Sequence, residues 1–267
     1  MRNRILALID LSENTENIYP SISYFFKIIG GELLLVHETI KLIPSFADSE
    51  QKRKILNEEK REAIKIIKAQ SSLLELSNID VLVTDKNVIN YINELQSEDK
   101  NDWVITGLKP HDNFKSFFTK STILKLIEET NFIKLIVPCD REISSIKHLR
   151  FATHYNFPVN LEKLKLVIQS FGSALETITF YTIIDDSDDF FKIDTHLNDL
   201  ASYFPNQKIV TEIIPKEKIN NPIDSKIDSE TILVIQKGAR NFLDLIFRKL
   251  TINRVLESNV APLIILP

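Results

Sequence analysis

Glycine is scarce in this chain. Gly30, Gly31, Gly107, Gly172 and Gly238 are the only five in 267 residues. A loop that wraps a phosphate with its own amides relies on glycine, because the anion must reach backbone N–H groups with no Cβ in the way. Five glycines over this length are a poor supply for such loops. Cysteine is scarcer still. Cys139 alone excludes an internal disulfide framework and a cysteine-built metal site, and points to a reducing compartment. Long apolar runs are missing too. The N-terminal stretch "MRNRILALIDLS" carries two arginines and an apolar run that Asp10 cuts short, too short for a secretory leader. Nothing approaches the length of a membrane-crossing helix. A surplus of positive charge is also lacking. The formal net charge is -4, so no global basic field draws the chain to nucleic acid or to anionic lipid. These absences together predict a cytoplasmic protein with no membrane or nucleic-acid partner.

What is present is an ordinary globular composition, with 43% hydrophobic and 26% charged residues, over a length that suits two domains. The chain also repeats itself. "WVITGLKPHDNFKSFFTKSTILKLIEETNFIKLIVP" from Trp103 to Pro138 lies over "ILVIQKGARNFLDLIFRKLTINRVLESNVAPLIILP" from Ile232 to Pro267 without gaps, at an offset of 232 − 103 = 129. Phe118/Phe247, Lys120/Lys249, Thr122/Thr251, Ile123/Ile252, Glu128/Glu257, Ile136/Ile265 and Pro138/Pro267 are identical. Both segments read strand, loop, amphipathic helix, strand, proline. "RILALIDLSEN" and "LRFATHYNFPVN" open the two halves in the same way, each a short apolar strand followed by turn residues and a helix. A period this long marks duplicated domains, since solenoid repeats run to only about 20–50 residues.

Ten strands are predicted, near Ile5–Ile9, Glu32–His37, Ile79–Thr84, Trp103–Thr106 and Lys134–Val137, then Leu149–Thr153, Thr177–Ile184, Lys208–Ile214, Thr231–Gln236 and Leu263–Leu266. Most are dense apolar runs, as strands covered on both faces should be. Helical patterns separate them. Ile18, Ile22, Phe25, Phe26 and Ile29 form one apolar face, and Leu161, Leu164, Ile168 and Phe171 form its counterpart, with Pro158 placed to open that helix and Gly172 to close it. A charged helix is predicted from about Ser49 to Leu76, and a shorter counterpart over Ile193 to Tyr203. The alternation implies parallel sheets with right-handed crossovers. The fold class is therefore α/β: two tandem open parallel-sheet sandwich domains of five strands each, residues 1–139 and 147–267, joined by "CDREISSIK".

The stretch "ITGLKPHDNFKSFFTKST", Ile105 to Thr122, follows a strand and runs into a helix, where a phosphate-holding loop would sit. "ILALIDLSENTEN" at the first strand–helix turn, "GGELLLVHE" at the second strand and the two strand–loop–helix–strand segments resemble the universal stress protein family in its tandem two-domain form. The resemblance covers essentially the whole chain. It implies that "KLIVP" and "PLIILP" pair across a pseudo-twofold axis, turning a family-style dimer into one chain and covering two sheet edges. In nucleotide-binding members the fourth strand is followed by Gly-x-x-Gly, nine residues, then Gly and Ser/Thr. Gly107 matches the first glycine, Pro110 and Lys120 stand at the other two, and Ser121 matches the hydroxyl, with Thr122 beside it. In the second half the same positions hold Gln236, Ala239, Lys249 and Leu250. The family also carries an aspartate at the end of its first strand, which Asp10 matches and His154 does not. Backbone groups after the second strand usually contribute as well, where Glu38 falls.

Proline at 110 removes an N–H, and lysine at 120 puts a side chain where close backbone approach is wanted. Lys109, Lys115 and Lys120 nonetheless add positive charge beside a helix N-terminus. The resemblance thus implies a stress-response protein with degenerate nucleotide sites and no bound cofactor, acting without catalysis through contacts with an unknown protein partner. The alternative is a switch that binds ATP in the first domain only, through Asp10, Glu38, Gly107, Lys109, Lys120, Ser121 and Thr122. A homodimer is left open. Elsewhere His154 and the acidic run "DDSDD", Asp185–Asp189, fall at one sheet edge, where a metal or an enzyme site is conceivable and a solvated loop is the commoner outcome. No Gly-x-Ser-x-Gly elbow is present. Cys139 reads as an inert linker cysteine, and Phe114, Phe117 and Phe118 read as packing residues rather than a nucleic-acid stripe.

Overall fold

A computed structural model of the protein describes residues 2–11, 15–39, 48–74, 76, 79–108, 120–139, 142–215, 228–237 and 261–267. Contacts divide the chain into two compact units. The first is Met1–Phe132 with Cys139–Glu142, and the second is Ile133–Pro138 with Ile143–Pro267.

The first unit holds β1 (Arg2–Leu8), α1 (Ile18–Ile29), β2 (Glu32–Glu38), α2 (Ser49–Gln70), β3 (Asp80–Thr84), α3 (Val88–Glu94), β4 (Lys100–Leu108) and α4 (Lys120–Glu129). Its strands lie parallel in the order β3-β2-β1-β4. Alternation along each strand sorts the side chains to two faces. Leu6, Leu8, Val36 and Val104 pack with Val88, Ile89 and Ile92 of α3 and Leu126 of α4. The opposite layer is α1, with Tyr19, Ile22 and Phe25 fully buried, beside the end of α2. Tyr19 donates to Gln70 Oε1 at 3.3 Å and Ser23 to the Leu74 carbonyl at 3.1 Å, which ties the two helices together. Each fully buried side chain of this kind contributes about 1.5–3 kcal/mol. Arg4 and Asp102 stand opposite each other across β1 and β4, and the guanidinium grips the carboxylate twice, at 2.7 and 2.9 Å. That fork fixes the pairing of the two strands on which the candidate site is built. At the α1–β2 turn Gly31 has φ +104°, and a Cβ there would strike the Asn3 backbone, so only glycine serves.

The second unit repeats the plan with β6 (His148–Ala152), α5 (Leu161–Phe171), β7 (Thr177–Ile184), α6 (Phe190–Ser202), β8 (Ile209–Pro215), β9 (Thr231–Gln236) and β10 (Leu263–Leu266). The parallel order is β8-β7-β6-β9-β10. β5 (Ile133–Pro138) joins this sheet antiparallel to β10. Leu135 pairs with Ile264, its own repeat mate (264 − 135 = 129), while Lys134 pairs with Ile265 and Ile136 with Leu263. The two last strands therefore pair as the family resemblance implies, and contacts group β5 with the second unit.

All ten predicted strands are present: β6 to β10 keep their predicted lengths, β1, β2 and β5 are one or two residues longer, β4 is five longer and β3 one shorter. Four helix readings differ. α2 stops at Gln70 and gives way to a 3-10 turn at Ser71–Leu74. α6 begins at Phe190, three residues before the predicted Ile193. α5 is opened by Asn160, whose side chain accepts the Lys163 N–H, so Pro158 lies upstream of the cap. α3, which the sequence reading missed, is only seven residues long and is capped by Asn87. Gly172 closes α5 as expected, at φ +52°. Within the linker, Ile143 and Ile146 are both buried.

Candidate functional site

In an open parallel sheet, a crevice forms outside the strand C-termini where the order of connections reverses. In the first unit that point lies between β1 and β4, because β2 and β3 extend the sheet on one side of β1 and β4 pairs on the other. Asp10 follows β1, and Leu8 pairs with Thr106, so Asp10 and Gly107 flank the crevice. Leu11 comes next with φ +52°, the one non-glycine residue with positive φ among the described residues. A left-handed leucine costs about 1–2 kcal/mol and persists only where its surroundings hold it.

Gly107 lies within β4, one residue before its end. Its missing Cβ leaves room for Cys139 Sγ, with Ile18 Cδ1 3.1 Å from the same point. The Cys139 N–H donates to the Leu108 carbonyl at 3.1 Å, so the strand end after Gly107 is already engaged. Glu38 closes β2, and its Oε2 accepts the Val88 N–H at 2.7 Å, which spends the carboxylate on the start of α3. The Thr39 N–H is taken by the Thr84 carbonyl at 2.8 Å. His37 Nδ1–H donates to the Ile9 carbonyl at 2.7 Å. Burial holds its pKa below the usual imidazole value, against the pull of that carbonyl and of Asp10, Glu38 and Glu59. Lys120, Ser121 and Thr122 form the first turn of α4. Lys109, Pro110, Lys115, Phe114, Phe117 and Phe118 lie outside the described residues. The structure thus brings Asp10 and Gly107 to one crevice and turns Glu38 away to a helix start.

The second unit has its equivalent crevice between β6 and β9. Phe151 pairs with Val234, which brings Thr153 and His154 to Gln236, the repeat mate of Gly107. Gln236 is latched there. Its Nε2 donates to the Pro267 carbonyl at 2.6 Å, and its Oε1 accepts the Asn160 N–H at 3.0 Å. One side chain therefore ties the ends of β9 and β10 to the cap of α5. His154 Nδ1 accepts the Asn156 N–H at 3.2 Å, which leaves Nε2–H to donate to Asp188 Oδ1, also at 3.2 Å. Its ring stacks on Tyr155 with centroids 4.6 Å apart. Both ring nitrogens are in use, so His154 works as a fastener of the acidic loop. Thr153 Oγ1 and His196 Nε2 share a hydrogen bond of 2.9 Å, and burial, with His154 nearby, holds His196 below its usual pKa. Among the described residues no group of three or more histidine, cysteine, aspartate and glutamate side chains is placed to hold a metal. The sequence placed a polar residue at 236, but its latch spans 76 and 31 positions and has no local signal.

No protein-family model matches the sequence, and no curated protein does. Solved structures match its fold along nearly the whole length. A universal stress protein from Archaeoglobus fulgidus DSM 4304 is 15% identical, with 100% of this chain and 98% of that one covered and a TM-score of 0.65. A putative universal stress protein from Pseudomonas aeruginosa UCBPP-PA14 is 14% identical over 99% and 93%, with a TM-score of 0.52. The cytoplasmic domain of a prokaryotic cation chloride cotransporter is 14% identical over 99% and 95%, with a TM-score of 0.55. The fold is that of the universal stress proteins in two copies.

Proposed function

We propose that this chain is a stress-type protein that acts without catalysis, through contacts with other proteins, and that neither crevice cradles a nucleotide. The observation that carries the reading is the Gln236 latch. A side chain hydrogen-bonded to Asn160 and Pro267 fills the place where a phosphate loop needs bare backbone. In the first unit the surviving glycine serves the packing of Cys139, and Glu38 is committed to α3. His154 is used to fasten the acidic loop, with Nε2 on Asp188 and Nδ1 on the Asn156 N–H. A fold that also serves as the cytoplasmic domain of a cotransporter is suited to work by contact with other polypeptide. No helix among the described residues is long and apolar enough to cross a membrane.

The second reading, an ATP switch in the first unit, draws on the left-handed Leu11 directly after Asp10, since held strain of this kind gathers at ligand clamps. Asp10, Gly107, Lys109, Lys120, Ser121 and Thr122 would then hold the nucleotide. Titration calorimetry with Mg-ATP separates the two. The expected result is no saturable heat, and no excess absorbance at 260 nm in the purified protein. Micromolar heat that disappears in Asp10→Ala would establish the switch and overturn the first reading.

A further inference from the structure

Phe190 is 60% exposed and Phe191 79%. Two adjacent phenylalanines left this open are unusual, since large exposed apolar side chains that cluster mark contact sites. They are not on a loose tip. They open α6, and Asp189 Oδ1 accepts the Phe191 and Lys192 N–H groups at 3.1 and 3.2 Å. The turn before them is pinned in two places. Asp188 Oδ2 accepts the Asp185 N–H at 2.8 Å, and Asp188 Oδ1 accepts from His154 at the end of β6. The helix is committed on its other side through Ile193, Leu197 and Leu200. The same turn and helix carry the exposed aspartates Asp185, Asp186, Asp189 and Asp194. Lys192 is the only lysine or arginine in α6, and it already reaches Asp189 at 3.4 Å.

Resting on the reading that the chain works through protein contacts, we propose that the N-terminal end of α6 and its acidic turn form a docking surface for a cationic amphipathic helix of a partner protein. Charge complementarity selects that occupant. The rings require an apolar stripe, and the aspartates of the same turn and helix require lysines or arginines flanking it. The same carboxylates repel anionic lipid and nucleic acid, and they disfavour a twofold contact of this face with itself. The turn is held in advance of binding, so little ordering is spent when the partner arrives.

The probe is a dye-labelled Leu/Lys amphipathic helical peptide, with a Leu/Glu peptide of the same pattern as control, followed by fluorescence anisotropy on the full chain. Saturable binding that weakens with salt is expected for the Leu/Lys peptide alone. Phe190→Ser with Phe191→Ser is expected to weaken it about tenfold, with the circular dichroism melt unchanged. Asp186→Asn with Asp194→Asn is expected to weaken it and to flatten its salt dependence. No binding, equal binding of the Leu/Glu peptide, or binding indifferent to the phenylalanine changes would overturn the proposal. So would a wild-type dimer in sedimentation velocity that becomes monomeric in the phenylalanine variant, since the occupant would then be a second copy. A silent peptide titration beside a silent ATP titration sinks this surface and leaves the functional reading standing. ATP heat sinks that reading whatever the peptide does.

Discussion

Gly107 can be read as a relic of a phosphate loop or as a packing residue, and the two readings differ in what a methyl group does there. The structure puts Cys139 Sγ where the Cβ would go, with Ile18 beside it. Gly107→Ala is therefore expected to destabilise the protein by about 1–3 kcal/mol through overpacking. Cys139→Ala opens the space, so the pair together should cost less than the sum of the single changes. Urea unfolding of the four proteins measures this. Additive costs, or a harmless Gly107→Ala, would mean that the contact does not set the residue. The glycine itself was legible in the sequence. Its reason was not, because Cys139 is 32 positions away (139 − 107 = 32) and reads only as a linker residue.

β5 carries a second consequence, at the scale of the element. Lys134 lies in it, fully buried, opposite Ile265 of β10. Burial, with the Lys237 charge as a lesser cause, pulls its pKa from 10.5 down to about 7. The folded protein then binds fewer protons than the unfolded chain between about pH 7 and 10.5, so Lys134 makes stability rise with pH across that window. Below pH 7 the penalty of charging it in place is fully present. Thermal melts of wild type and Lys134→Met should accordingly converge as pH climbs from 7 to 10, with the wild type gaining. Parallel curves would contradict a displaced titration. The strands themselves were plain in the sequence, because runs such as "LLLV" and "LIIL" are short, apolar at every position and bounded by turn residues, as strands covered on both faces are. α3 was not plain. Its seven residues hold two turns at most, and its start depends on Asn87 and on Glu38 from another strand. The start of α5 was misplaced for a related reason: a proline two residues early is a weaker marker than the asparagine whose side chain caps the helix.

On the scale of the molecule, the duplication was readable from the constant offset, and the pairing of the two last strands was implied by the family resemblance. By the repeat β5 closes the first half, and by contacts it groups with the second unit. This is testable with fragments. A chain starting at residue 132 contains β5, the linker and the whole second unit, and is expected to be soluble and cooperative in a thermal melt. A chain starting at residue 147 lacks β5. It bares the β10 edge, the apolar "LIIL", to any neighbour that can add a strand. Size-exclusion chromatography is expected to show it aggregating, and equal behaviour of the two fragments would mean that β5 is dispensable.

The loan of β5 also has a meaning for descent. A gene cut between its two similar halves would leave the downstream product with an unfinished sheet. With that border supplied from the earlier copy, a cut at the junction would not return a sound single module, which would favour inheritance of the pair as one unit.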